Sequence, residues 1–110
     1  MDGINYRDTI VRLLDQYTGR PYINGDITNE FVVDDEHQQY IAMMNGWEDK
    51  RRVHGTLIHL AIRNGKIWVE RDGTDAGIVN ELVEAGISKD QIVLGFKSLS
   101  IRPYTDFAVT

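Results

Sequence analysis

Apolar residues change their spacing several times along this chain, and each change predicts an element. Ile4, Ile10, Val11, Leu14 and Tyr17 lie on one stripe of a helical period, which predicts a first helix over about residues 4 to 18. Asp8 stands four residues before Arg12, the favourable order for an ion pair on the helix's outer face. Gly19 and then Pro21 end it, the first as a C-terminal cap and the second because it has no amide with which to continue the ladder. From Asp26 the period becomes two, with Ile27, Phe31 and Val33 on one side and Thr28 and Glu30 on the other, the pattern of a half-buried strand. Asp34-Asp35-Glu36-His37 reads as a polar turn into a second strand from Gln39 to Gly46, which carries Tyr40, Ile41, Ala42, Met43 and Met44. Trp47 to Arg51 turns the chain again into Arg52 to Arg63, a central strand rich in Val, Ile and Leu.

Asn64-Gly65 is the strongest local signal, because a type I′ turn needs positive φ at both central residues and Asn-Gly supplies it at little cost. A two-residue loop sets Arg63 opposite Lys66, Ile62 opposite Ile67, Leu60 opposite Val69 and Ile58 opposite Arg71. One face of this hairpin is then Ile58, Leu60, Ile62, Ile67 and Val69, which is core. The other pairs Ala61 with Trp68, His59 with Glu70 and Leu57 with Asp72, and is mixed.

Beyond Asp72-Gly73, Thr74 or Asp75 caps a second helix whose stripe is Ile78, Val79, Leu82 and Val83 and which Gly86 stops. Ser88-Lys89-Asp90-Gln91 has the spacing of a capping box over one short turn, and Gln91 to Phe96 reads as a short fifth strand. Residues 97 to 110 hold Ile101, Tyr104, Phe107 and Val109, too apolar for an idle tail, so this segment is expected to dock on the body or on a partner. Strands joined by short turns are antiparallel. The predicted fold is α+β over residues 1–110 as one domain: an N-terminal helix, a four-stranded antiparallel meander, a second helix, a short C-terminal strand and a docked C-terminal segment, with the helices over one sheet face.

Composition narrows the function. A chain of 110 residues with 42% hydrophobic and 26% charged residues suits one globular domain. Twelve Lys and Arg against 17 Asp and Glu give a net charge of -5, a field that repels phosphate backbones and disfavours unaided DNA binding. The densest basic run, Lys50-Arg51-Arg52, follows Glu48-Asp49 directly; with Arg63 it is the surface a DNA-binding alternative would use. The absence of cysteine excludes a disulfide framework, a thiolate nucleophile and a cysteine zinc site. No run approaches the roughly 18 apolar residues of a membrane span, and the N-terminus lacks a basic region followed by an apolar one, so a cytoplasmic protein is expected.

No catalytic constellation is legible. Recombinase chemistry needs a Ser or Tyr nucleophile amid several arginines, and Ser88, Ser98 and Ser100 sit in no such cluster. A metal site from His54, His59 and Glu70 or Asp72 fails on a regular strand, where residues five apart point to opposite faces. A cross-strand hydrogen bond between His59 and Glu70 is the preferred reading, with neither a metal nor a cofactor expected. Gly73-Thr74 reads as an ordinary strand-to-helix turn, since Asp72 and Asp75 flank its amides with negative charge. The acids of Asp34-Asp35-Glu36 and Glu48-Asp49 read as solvated turn residues. What remains is the mixed face with Leu57, Ala61 and Trp68, which exposes a large Trp unless the C-terminal segment, a second copy of the chain or a heterologous partner covers it. Trp68 and the segment from Ile101 through Tyr104 and Phe107 to Val109 are the expected partner-facing surface.

Several stretches together carry a family resemblance: Arg51-Arg52-Val53-His54-Gly55-Thr56-Leu57-Ile58-His59, Gly65-Lys66-Ile67-Trp68-Val69, Asp72-Gly73-Thr74, Gly77-Ile78, Glu81-Leu82-Val83, Gly86-Ile87, Ile92-Val93-Leu94-Gly95-Phe96, Tyr104-Thr105 and Phe107-Ala108-Val109. In these the chain resembles the XisI family, the fdxN element excision controlling factors, over nearly its whole length. It departs at Lys97-Ser98-Leu99-Ser100, where many relatives are proline-rich, and at Asp106, where Gly is common. The resemblance implies an accessory role in excision of a DNA element in cyanobacteria, with a separate recombinase and an XisH-type companion protein. A non-enzymatic binding protein is therefore the leading expectation. The alternatives are a DNA-binding directionality factor and a small hydrolase or nuclease component built on His59 and Glu70.

Overall fold

The computed structural model describes residues 5–17, 26–74 and 77–110. Its elements are α1 (Tyr6–Asp15), β1 (Asp26–Asp34), β2 (Gln39–Glu48), β3 (Arg51–Arg63), β4 (Lys66–Asp72), α2 (Ile78–Glu84) and β5 (Ile92–Leu94), with 3-10 turns at Lys89–Gln91 and Arg102–Tyr104. The sheet order is β1-β2-β3-β4-β5. Each neighbouring pair from β1 to β4 is antiparallel, and β5 runs parallel to β4. A parallel pair needs a crossover, which α2 supplies. The α+β fold read from the sequence is the fold of the protein.

In α1 the Asn5 side chain accepts a hydrogen bond from the Asp8 amide at 3.0 Å, a side-chain N-cap. The outer-face pairing differs from the i,i+4 expectation. Asp8 pairs with Arg7 at 3.2 Å rather than with Arg12, and Arg7 also reaches Asp35 in the β1–β2 turn at 2.9 Å. The predicted start at Ile4 and the stop signals Gly19 and Pro21 lie outside the described residues.

The β3–β4 hairpin turns on Asn64 at φ 53° and Gly65 at φ 76°, both in the left-handed region that a type I′ turn requires. Four predicted pairs follow: Arg63 with Lys66, Ile62 with Ile67, Ala61 with Trp68 and Leu60 with Val69. There the register shifts, and His59 faces Arg71 while Ile58 faces Asp72. Glu70 is the extra residue of a bulge, so the expected pairs His59–Glu70, Ile58–Arg71 and Leu57–Asp72 do not form. A second shift lies between β2 and β3, where Ala42 faces Ile58 but Met43 faces Thr56, leaving Leu57 as the extra residue.

Leu57 therefore turns to the same side as Ile58. The two are 7% and 0% exposed, and both belong to the core that α1 and α2 close over the sheet. This core joins Ile10, Leu13 and Leu14 of α1, Tyr40 and Ala42 of β2, Leu60, Ile67 and Val69 of the hairpin, and Ile78 and Leu82 of α2.

Between β4 and α2, Thr74 gives its hydroxyl to Asp72 at 2.7 Å and accepts from the Gly77 amide at 3.0 Å. Thr74 thus fastens the turn upstream instead of capping the helix, whose N-cap is Gly77 without a side-chain bond; Asp75 lies outside the described residues. Gly86, at φ 105°, ends α2, and the Ile87 amide returns to the Leu82 carbonyl at 3.1 Å. The short turn after it forms as expected but not as a capping box. The Ser88 hydroxyl bonds Asp90 at 2.6 Å, and the turn closes from the Gln91 amide to the Ser88 carbonyl at 3.0 Å.

Candidate protein-binding surface

Helices cover one face of the sheet, so the other decides what the protein can touch. Its cross-strand rows follow from the register. One row runs Asp34, Gln39, Ala61, Trp68, Val93 and, through an isolated bridge, Ala108. The next is Val32, Ile41, His59 and Arg71. Beyond lie Glu30, Met43 and Thr56, then Thr28, Asn45 and His54, then Asp26, Trp47 and Arg52.

The C-terminal segment closes the first row. After β5 the chain turns twice, with the Phe96 amide bonded to the Val69 carbonyl at 3.2 Å and the Arg102 amide to the Ser98 carbonyl at 3.1 Å. It then lays Ala108 beside β5, its amide 2.9 Å from the Ile92 carbonyl. Arg102 locks this loop by donating to the carbonyls of Lys97 and Val109 at 3.0 and 3.3 Å. Its guanidinium lies 5.2 Å from the Trp68 ring centre, and that of Arg63 lies at 4.4 Å, both within cation–π range. The chain's own C-terminal segment, one of the three covers weighed for Trp68, lies against its ring through Arg102.

The expected partner-facing residues consequently divide. Leu57 is in the core and Ala61 is fully buried: a bulge turns the first inward, and the second faces Trp68 across the hairpin. Trp68 itself is half-buried, its indole nitrogen enclosed without a hydrogen-bond partner. Phe107 packs against the core cluster beside Lys89, whose ammonium is 5.7 Å from the ring centre. Ile101, Tyr104 and Val109 are exposed, Tyr104 by 87%, together with Phe96 and Leu99.

The basic residues of the DNA-binding alternative do not form one patch. Lys50 is in the β2–β3 turn, and Arg51 is paired with Glu48 at 2.7 Å. Arg52 donates to the Gly46 carbonyl and the Asn45 side chain at 3.0 and 2.7 Å, and lies 5.5 Å from the Trp47 ring centre. Arg63 is at the far end of β3, roughly 35 Å away at the usual strand rise, and is ion-paired with Glu70.

The histidines are arranged differently from expectation. Because Leu57 is an extra residue, His54 and His59 share the outer face instead of pointing apart. His59 Nε2 meets the Gln39 side-chain oxygen at 2.7 Å, while Glu70 is held by Arg63, so the hydrolase reading loses the pair on which it rested. Asp34, Glu36 and His37 bring ligand atoms within 4.8 Å of one another in the β1–β2 turn. They are occupied with each other: His37 binds Asp34 through its ring at 2.8 Å and its amide at 3.2 Å. This side-chain bond, more than any other cause, holds the Asp34 carboxyl below the usual range.

Val32, Ile41, Met43 and Trp47 also belong to this outer face, and sequence reasoning did not single them out. Val32 and Trp47 are exposed, Ile41 and Met43 half-exposed. A signal was present: Phe31-Val32-Val33 and Tyr40 to Met44 are apolar at consecutive positions, which fills both faces of a strand. No helix among the described residues is long and apolar enough to cross a membrane, so these side chains are not part of a helical span.

The chain matches the family described as XisI protein over residues 1–109. The chain belongs to the XisI family. Among solved structures it is similar to a XisI-like protein from Anabaena variabilis, at 32% identity and TM-score 0.86, with 96% of each chain covered. It is also similar to the fdxN element excision controlling factor XisI of the same organism, at 36% identity and TM-score 0.78, again over 96% of each chain. No curated protein matches.

Proposed function

We propose that this chain is a non-enzymatic accessory factor in the excision of a DNA element by a separate site-specific recombinase, and that it works by binding a companion protein of the XisH type. Membership of the XisI family and likeness to a protein named as an excision controlling factor support the excision role. One observation carries the binding role. Apolar side chains on the helix-free side of the molecule, among them Val32, Ile41 and Met43 on the sheet, are wholly or partly exposed where no element among the described residues covers them. Apolar surface left in water at this density marks an interaction site more often than an accident of sequence.

Co-expression with an XisH-type protein, followed by size-exclusion chromatography with mass measurement, tests the reading. The expected result is co-elution at the mass of a defined complex. Separate elution of two folded proteins would sink it, and salt-sensitive retention of element-end DNA by this chain alone would favour the directionality-factor alternative.

A further inference from the structure

Charge on the helix-free face is sorted by strand. β1 places its acids there: Asp26 and Glu30 are exposed, Glu30 accepting from the Asn45 amide at 3.0 Å, and Asp34 at the other end is held by His37. On the far side of β2 the unpaired charge is positive. Arg52 of β3 bonds only the Gly46 carbonyl and the Asn45 amide oxygen, and Arg71 of β4 donates to the Thr56 carbonyl of β3 at 2.7 Å. Among the described residues, no ion pair within 4.0 Å uses Asp26, Glu30, Arg52 or Arg71. The other cations of this side are engaged: Arg63 pairs with Glu70, while Lys66 and Arg102 hold carbonyls of the C-terminal segment. Between acids and arginines, β2 presents Ile41, Met43 and Trp47, all wholly or partly exposed. Acid, apolar and base thus succeed one another across three strands. The two signs do not meet within one molecule, since Asp26 and Arg52 share a row with Trp47 between them, roughly 10 Å at the usual strand spacing.

We propose that this face is the contact between two copies of the chain, related by a two-fold axis that runs along β2. Such an axis exchanges the two sides of β2 and keeps position along the strands. β1 of each copy then lies on β3 of the other, with Asp26 against Arg52, and Glu30 against Thr56 where Arg71 is held. Ile41, Met43 and Trp47 meet their own counterparts. A two-fold contact must be self-complementary, and a face that is acidic on one side of an apolar strand and basic on the other meets that condition. The charges also select the axis. One running across the strands would lay β1 on β1 and bring Glu30 onto Glu30. Sheets stack face to face about 10 Å apart with their strands within about 30° of one another, a gap that these long side chains bridge from both walls. The shape agrees with the charge. The C-terminal segment stands beside Trp68 on the β4 side, whereas the sheet of the facing copy ends at β1, so the segment falls beyond that edge. A phosphate backbone is a poor occupant, because it would meet the β1 acids on reaching the arginines.

This contact goes beyond the companion-binding reading and needs no companion, so the two fail separately. It leaves the exposed Leu99, Ile101 and Tyr104 of the C-terminal segment for that protein. Sedimentation equilibrium of the full chain alone, at micromolar concentration, should give the mass of two chains. Asp26→Arg and Arg52→Asp, both at exposed positions, should each weaken association about tenfold or more, since either change sets like charges against each other at both symmetric contacts. An equimolar mixture of these two variants should regain most of the wild-type affinity, because each copy then offers the charge the other lacks. Ile41→Asp, which sets carboxylate on carboxylate at the axis, should also dissociate the pair. Thermal melts certify that each variant is folded; if Arg52→Asp melts early through loss of its bonds to Gly46 and Asn45, Glu30→Arg mixed with Arg71→Glu makes the same exchange. A monomer at every concentration, a dimer indifferent to Ile41→Asp, or a mixture that stays dissociated would each overturn the proposal. If the chain alone is monomeric yet co-elutes with an XisH-type protein, the companion stands and the two-fold contact falls. If the dimer forms and responds to the charge exchange while no companion binds, the contact stands and the companion falls.

Discussion

On β3, Ile58 and Leu60 are fully buried beneath the helices, while His59 between them reaches across the opposite face to Gln39. Neighbours in sequence thus serve two faces under different rules. Against the helices the constraint is packing: each side chain excludes water and touches others, and loss of volume leaves a cavity. On the outer face the constraint is chemical, since half-exposed side chains contribute little to folding and are left to contact something else. The difference teaches that the packing demand on a residue changes from one position to the next along a single strand.

The sharpest break of that comparison uses two isoleucines of the sheet. Ile58→Ala, in the core row opposite Ala42, should cost about 2–5 kcal/mol, the range for truncating a buried aliphatic side chain. Ile41→Ala, on the outer face, should cost less than about 1 kcal/mol. Urea unfolding of both variants measures the ratio; equal losses would mean that the outer face is packed as tightly as the core and is no docking surface.

A pair of glycines gives the next largest contrast. A Cβ at Gly46 would collide with the Asp26 carbonyl oxygen and come within 2.6 Å of the Ile27 Cα, whereas one at Gly55 meets nothing within 4 Å. Gly46→Ala should therefore prise β1 from β2 and cost about 1–3 kcal/mol. Gly55→Ala should be neutral or stabilise slightly by restricting the unfolded chain. Amide exchange along β1 locates the damage, and protected β1 amides in Gly46→Ala would show that the strands accommodate the methyl group.

How much of this was legible beforehand depends on what each feature needs. The Asn64-Gly65 turn is a local rule, and the four pairs nearest it followed by counting. Counting fails at Glu70 and Leu57 because a bulge adds a residue to one strand without an obligatory sequence mark, and each added residue exchanges the faces beyond it. Adjacent apolar Leu57 and Ile58 were the available hint, since two such neighbours break alternation. The same bulges displaced the candidate site: they sent Leu57 into the core and parted His59 from Glu70. Arg71, Ile41 and Val32 fell into one row only once β1, β2, β3 and β4 were all in register. The docking of residues 97 to 110 was readable from their apolar content, but its choice of Trp68 as seat depends on Arg102, which no local pattern marks.

Tyr17 offers a smaller effect with a definite sign. Burial foremost, and then its hydrogen bond to Glu81, push the phenol from 10.0 up to about 12. The folded state holds this proton more tightly than the unfolded chain does. Its contribution to stability is therefore complete below pH 10 and is lost as pH rises toward 12. Tyr17→Phe lacks both the bond and the titration, so the stability difference between wild type and variant should shrink across that window. Urea midpoints taken on both proteins through it should converge, and parallel curves would show that the phenol titrates alike in both states.

The smallest effect concerns the link between α1 and the β1–β2 turn. Arg7 clasps the Asp35 carboxylate with two nitrogens, at 2.9 and 3.1 Å, and this side-chain bond is the main cause that holds the Asp35 carboxyl below its ordinary 3.8. For a depressed carboxyl the contribution is present above that ordinary value and vanishes as pH falls through the lower folded one. Both partners are exposed, so screening keeps the contribution small and dependent on salt. Arg7→Gln should accordingly match wild type in strong acid and fall slightly below it at neutral pH, with the gap narrowing as salt is added. A gap that persists undiminished below the Asp35 titration would assign the loss to the packing of the Arg7 stem instead. The helix would then be held on the sheet by its other contacts, the packing of Ile10, Leu13 and Leu14 foremost, and the charge pairing between Arg7 and Asp35 would have no part in joining the two layers.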